Sequence, residues 1–238
     1  MPQHHPSLSV LLQYSAGNLN PALALCVSTH LHHCKACQKA VQLLDCYGGE
    51  LIEQAKPAKV SSNSFDRVMK AINEAEAAKA LEETLPLEES ALSANGRKRV
   101  VPSALSAYAS HLPAPLQPTL QANAKSEWTK LSSCLDAMHI KVGQDQYEAN
   151  FHRIARGGKV LEHDHKGHEV TVVLYGSFSD ENGSYQVGDY VERMSGERHT
   201  PTATQDSECL CLSVVDAPVK LTGVLNRIIN PFIPHRPA

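Results

Sequence analysis

The chain has 238 residues, of which 42% are hydrophobic, and a formal net charge of −3, so it can bury a core but lacks the basic surface of a nucleic-acid-binding protein. The first 85 residues repeat this balance, with seven Lys and Arg against eight Asp and Glu. The sequence shows neither a basic leader nor an apolar run near the roughly 18 residues of a membrane span, which predicts a cytoplasmic protein that binds no membrane. Its seven cysteines, an odd number, predict reduced or metal-bound thiols. The charge balance predicts no DNA binding by this chain itself.

The first 55 residues have helical patterns. Leu8, Leu11 and Leu12 recur at helical spacing and predict a first helix. Asn20 before a proline is typical of a helix cap, and it predicts a second helix that reaches about His32. A third helix is predicted over residues 34–51.

A fourth helix is predicted from Ser64, a capping residue, to about Thr84. It carries an apolar stripe at helical spacing: Phe65, Val68, Met69, Ile72 and Ala75. Two interpretations stay open, because such a stripe either packs on its own domain or covers a partner protein.

Residues 86–125 contain five prolines among Ala, Ser and Leu, which predicts a linker with one short helix around residues 104–111. From Trp128 onward, short alternating runs such as 169–174 and 210–215 are separated by Gly and Asp turns. This pattern predicts an all-β sandwich or barrel.

The segment from His30 to Cys37 has the spacing His-x3-Cys-x2-Cys, with the middle ligand at Cys34. On a helix these three side chains project from one face. Imidazole and thiolate are ligands that suit a closed, four-coordinate zinc site, and His4 or His5 can supply the fourth. The alternative is that they are ordinary core or surface residues.

This pattern resembles the zinc-binding anti-sigma domains that inhibit group IV (ECF) sigma factors. The resemblance implies that the zinc ligands are His5, His30, Cys34 and Cys37. His5 is preferred to His4 because it directly precedes the first predicted helix.

A second group of candidate ligands lies in the β-rich part of the chain. His163 and His165 are two residues apart, so both side chains point to one face of a strand, and a short turn leads to Glu169. The spacing matches the first cupin motif, and the second motif supplies His199, with Met194 where proline is usual and Ala203 where asparagine is usual. By this resemblance the four residues hold a divalent metal at an open site: zinc first, with manganese, iron or nickel as alternatives.

The two motifs together resemble ChrR-type anti-sigma factors, which join a zinc domain to a cupin domain. The resemblance implies an α+β multidomain protein: a small all-α zinc-binding anti-sigma domain over residues 1–85, the linker over 86–125, and an all-β cupin barrel (double-stranded β-helix, or jelly roll) over 126–238. It also implies a non-enzymatic regulator that sequesters a group IV sigma factor. The sigma factor is released when singlet oxygen, an organic peroxide or a small ligand acts on the cupin domain.

Cys209 and Cys211 share one face of a predicted strand. They are interpreted either as buried core thiols or as a redox pair near the cupin metal. A different class of function also stays open: a metal-dependent cupin dioxygenase or isomerase with an accessory zinc domain, which turnover by the cupin part would favour.

Overall fold

The computed structural model describes residues 1–82 and 100–221. They divide into two compact units, one formed by Met1–Gly48 with Val100–Ala238 and the other by Gly49–Arg99. Residues 86–99 of the predicted linker and residues 222–238 of the predicted cupin domain lie outside the described residues. The functional division at residues 85 and 125 stays a prediction.

Four helices form in the first described range, close to the predicted positions: α1 (Leu8–Ser15), α2 (Pro21–His33), α3 (Lys35–Gln54) and α4 (Ser64–Glu82). The predicted cap of α2 is confirmed, since Asn20 Oδ1 accepts a hydrogen bond from the Ala22 amide at 2.9 Å. Cys34 ends α2 and separates it from α3. A zinc-motif residue therefore lies at the corner between two helices.

The described part of the predicted linker, residues 100–125, is packed rather than extended. It forms two 3-10 helices and an α-helix: Ser103–Tyr108, Ala114–Leu116 and α5 (Gln117–Ala122). Four leucines of this stretch are at most 2% exposed: Leu105, Leu112, Leu116 and Leu120. The prediction of a linker here is wrong, because these side chains belong to the main core.

In the second described range, residues 100–221, twelve strands form three antiparallel sheets. They are β1 (Thr129–Lys130), β2 (Leu135–Ile140), β3 (Glu148–Ile154), β4 (His163–His165), β5 (Glu169–Tyr175), β6 (Ser177–Asp180), β7 (Gly183–Gln186), β8 (Tyr190–Arg193), β9 (Arg198–His199), β10 (Thr202–Ala203), β11 (Cys209–Val215) and β12 (Val219–Leu221). The sheets have the orders β1-β2-β3-β11-β5-β8, β10-β6-β7 and β12-β4-β9.

The helices α1–α3 and the large sheet share one hydrophobic core. Cys26 and Val27 of α2 are fully buried and pack in the same cluster as Val170 and Val172 of β5. The structure therefore has the predicted α+β architecture. Within the unit that contains both, however, the first helices are not separated from the sheets by a linker.

Among the described residues, no helix is both long and apolar enough to cross a membrane.

Candidate metal centres

The first candidate centre joins three parts of the helical region. His5 lies in the segment before α1, His30 in the last turn of α2, Cys34 at the end of that helix and Cys37 in the first turn of α3. One ligand atom from each lies within 4.8 Å of all the others. His5 is exposed and the other three are buried, so a cation there would fasten the N-terminal segment onto the corner between α2 and α3.

The separations in this first centre fit tetrahedral zinc. His5 Nδ1 is 3.4 Å from Cys34 Sγ and 3.5 Å from Cys37 Sγ. Zinc with bonds of about 2.3 Å to sulfur and about 2.0 Å to nitrogen separates such atoms by about 3.5 Å at tetrahedral angles.

The orientation of His30 also fits a metal ligand. Its Nδ1 lies 2.6 Å from the carbonyl oxygen of Gly188, which can only accept, so Nδ1 carries the proton. Nε2 then has a free lone pair, and it has no hydrogen-bond partner among the residues that the structure describes. Burial lowers the pKa of His30 to about 4, so the ring stays neutral at physiological pH, as metal binding requires.

Metal binding at the first centre must displace a thiol proton. Burial, followed by the neighbouring Cys34, raises the pKa of Cys37 to about 12. Because the thiolate is the form that binds metal, cation binding and proton release are coupled here.

The second candidate centre lies on the sheet β12-β4-β9 and at the start of β5. His163 and His165 are on β4, His199 is on β9 directly opposite His163 in the register, and Glu169 is the first residue of β5. Their ligand atoms again lie within 4.8 Å of one another. All four predicted cupin ligands therefore converge.

The imidazoles of His163 and His199 direct the lone pairs of their Nε2 atoms toward each other. His163 Nδ1 donates to Leu161 O at 2.9 Å and His199 Nδ1 donates to Asp180 Oδ2 at 3.1 Å, so neither Nε2 carries a proton in the neutral rings. Nevertheless these two Nε2 atoms are 2.8 Å apart. Two lone pairs at this separation repel, and a cation bound by both removes the repulsion.

The separations in the second centre fit a more open coordination than those in the first. His199 Nε2 is 2.9 Å from His165 Nε2 and 4.0 Å from Glu169 Oε2, and His165 Nε2 is 3.1 Å from Glu169 Oε2. Ligands about 2.1 Å from one cation lie about 3.0 Å apart at right angles, about 4.2 Å apart when opposite and about 3.4 Å apart in a tetrahedron. The arrangement matches right angles and one near-opposite pair, which leaves coordination positions free.

Burial and neighbouring side chains shift the pKa values of the candidate ligands in the second centre. Burial, then proximity to His199, lowers the pKa of His163 to about 4. Burial raises the pKa of Glu169, but the three imidazoles and a hydrogen bond from Ser213 Oγ outweigh it and lower that pKa to about 2. Three imidazoles and one carboxylate are a donor set that suits a divalent cation.

Cys209 and Cys211 are both buried on β11, and their Sγ atoms are 3.5 Å apart. The shared face that the strand pattern predicts is thus present. Both thiols belong to a cluster of buried apolar residues between the sheets. Of the cysteines in the helical part that belong to neither centre, Cys26 is fully buried, whereas Cys46 is exposed.

The groups that orient the ligands are not predictable from the sequence motifs. Asp180 holds His199, and its side chain is fully buried. The carbonyl of Gly188 holds His30 across 158 residues of sequence. Of these two groups, Gly188 alone has a sequence signal, because it is the glycine that begins the second cupin motif. That motif predicts a turn and does not predict a contact with a histidine.

Comparison with known proteins finds similar proteins over both the helical and the β-rich part of the chain. Residues 117–217 match the ChrR cupin-like domain family. The anti-sigma-E factor ChrR of Cereibacter sphaeroides is 29% identical over 231 residues, which cover 97% of each chain. The crystal structure of Rhodobacter sphaeroides SigE in complex with the anti-sigma ChrR matches with a TM-score of 0.68 and 28% identity, covering 91% of this chain and 100% of that one. By these comparisons the chain resembles ChrR-type anti-sigma factors over nearly all of its length.

Proposed function

We propose that this protein is an anti-sigma factor that sequesters a group IV (ECF) sigma factor through its N-terminal helices. The observation that carries the proposal is the match to ChrR, which covers 97% of both chains and extends to a structure of ChrR in complex with SigE. A relative that spans both the helical part and the cupin part accounts for the two together. A metal-dependent enzyme would leave the first centre without a role.

The stripe on α4 supplies a surface for such a partner. Phe65 is 73% exposed, Val68 57% and Ile72 43%, and Met69 of the same face is 39% exposed. These positions repeat every three or four residues, so they form one apolar face of the helix. An apolar helix face of this kind is suited to a groove on another protein.

The cation at the first centre is zinc in this proposal, and its role is structural. It joins the N-terminal segment to the corner of α2 and α3 through four ligands and leaves no coordination position free. Structural zinc contributes on the order of 10 kcal/mol or more of apparent binding free energy near neutral pH.

The cation at the second centre belongs to signal reception. Zinc is preferred there, with manganese, iron or nickel as alternatives, and the open positions admit an oxidant or a small ligand. The proposed signal is singlet oxygen or an organic peroxide. The Cys209 and Cys211 pair is the proposed redox element, since its sulfur atoms already lie 3.5 Å apart.

The proposed location is the cytoplasm, where a sigma factor binds RNA polymerase, and this chain needs no DNA contact of its own.

Copurification tests the proposal. We expect the full chain, co-expressed in turn with each group IV sigma factor of its host, to retain one of them through affinity purification. Phe65→Ser with Ile72→Ser should reduce the retained sigma factor at least tenfold, because two apolar contacts are lost from one face. Glu74→Ser, on the opposite face of the same helix, is the matched control and should retain it. Failure of the full chain to retain any of these sigma factors would refute the function.

A further inference from the structure

The turn between β7 and β8, residues 186–190, holds the segment that carries His5. Asp189 Oδ1 accepts hydrogen bonds from the backbone amides of Gln3 at 2.6 Å and His4 at 3.0 Å. The Tyr190 amide donates to the carbonyl of His4 at 3.0 Å. The residue before a candidate ligand is thus fixed on both its amide and its carbonyl side.

Asp189 is well placed to make these contacts. Its side chain is fully buried, and its second oxygen, Oδ2, accepts from the Gln186 amide at 2.8 Å. That bond fixes the rotation of the carboxylate and leaves Oδ1 directed at the N-terminal segment. Hydrogen bonds to a charged acceptor are roughly twice as strong as those between neutral groups.

The same turn orients a second candidate ligand. The Gly188 carbonyl accepts from His30 Nδ1 and thereby leaves Nε2 as the nitrogen that can bind a cation. Gly188 has a φ of +89°, and a Cβ there would lie 2.6 Å from His33 Cβ and 2.9 Å from Pro2 Cγ. Glycine is therefore required both by the backbone conformation and by the close approach of the helical part of the chain.

We propose that this cupin turn is a functional part of the first centre, in which Gly188 and Asp189 are positioning residues that set its affinity for a cation. The inference rests on the proposed cation binding at that centre and is independent of the sigma factor. Groups that orient metal ligands typically change metal affinity about 10- to 100-fold when they are removed.

Cobalt titration of the full chain tests the inference, because thiolate-to-cobalt charge-transfer absorption reports only the centre that contains cysteine. We expect Asp189→Ala and Gly188→Ala to weaken cobalt binding at the first centre about 10- to 100-fold. Asp189→Asn retains an oxygen acceptor for the N-terminal amides and should remain closest to the unchanged chain. That rescue would not follow from a merely structural role.

Two substitutions are matched controls. Gly143 has a φ of +71°, and a Cβ added there would have nothing within 4 Å, so Gly143→Ala carries the backbone cost without the contact. Asp206→Ala removes an exposed carboxylate from another cupin turn. Both should leave the cobalt affinity unchanged.

Gln3→Pro covers the case in which Asp189→Ala does not fold. It removes the Gln3 N–H that donates to Asp189 Oδ1 and leaves every cupin residue unchanged, and we expect weaker cobalt binding again. Unchanged affinity in both the Gln3→Pro chain and any folded Asp189→Ala protein would overturn the inference. Absence of the charge-transfer band in the unchanged chain would instead overturn the proposed metal centre itself.

Discussion

At the scale of single residues, groups that are distant in sequence hold the candidate ligands of both centres. Both sets of four candidate ligands converge. His163 and His165 share one face of β4, as their spacing predicts, whereas Cys34 and Cys37 meet at the corner between α2 and α3 rather than on one face of a single helix. Asp180 shows what the sequence cannot provide. It lies on β6 and reaches His199 of β9 because β10, which follows His199 in the chain, pairs with β6, and no local spacing predicts that contact.

Asp180→Ala is expected to weaken cation binding at the second centre about 10- to 100-fold, because His199 loses the acceptor that fixes its proton on Nδ1. Metal analysis after dialysis should show the cation content approaching one per chain. Asp136→Ala is the matched control, since Asp136 accepts from Arg153 at 2.7 Å as Asp180 does from Arg193. An unchanged content in the Asp180 variant would contradict the assigned role.

At the scale of elements, composition misleads between residues 100 and 125. Prolines among Ala and Ser are typical of a linker, but the leucines of this stretch are buried and the 3-10 helix Ala114–Leu116 contacts α2. Helices and strands with a clear hydrophobic period, such as α2 and β5, were predictable. Short 3-10 turns lack such a period, and only the tertiary contacts determine that they are packed.

Leu116→Ala should lower the free energy of unfolding by about 2–5 kcal/mol, because this fully buried side chain leaves a cavity where the segment meets α2. Urea unfolding of the metal-loaded chain measures the change. Leu161→Ala, at a side chain that is 50% exposed, should change stability by about 0.5 kcal/mol or less. Equal effects of the two substitutions would show that residues 100–125 behave as the linker that their composition indicates.

At the scale of the whole molecule, direct contacts connect the two candidate centres. The ring of His4, next to the ligand His5, is 4.7 Å from the ring of Tyr185. The Tyr185 hydroxyl donates to Asp180 Oδ1 at 3.1 Å, and the other oxygen of Asp180 accepts from His199. A change at the second centre therefore has a short physical route to the segment that completes the first.

The two centres should have separable effects on the sigma factor. Cys34→Ser is expected to reduce sigma binding at least tenfold, because the first centre loses a ligand and the N-terminal segment its attachment. His163→Ala should retain binding and impair release after exposure to singlet oxygen or an organic peroxide. Copurification before and after exposure measures both effects. Normal release from the His163 variant would exclude the second centre from signal reception.

Serine at both Cys209 and Cys211 should also impair release if these thiols are the redox element, and the same copurification measures it.

The contact between His30 and Gly188 has a consequence for the order in which the protein matures. A ribosome must add 158 residues after His30 before the carbonyl that orients it exists. A nascent chain that ends ahead of this turn already contains every candidate ligand of the first centre, yet lacks the groups that direct two of them. The helical part thus reaches its final form late in translation, when most of the barrel has been synthesised.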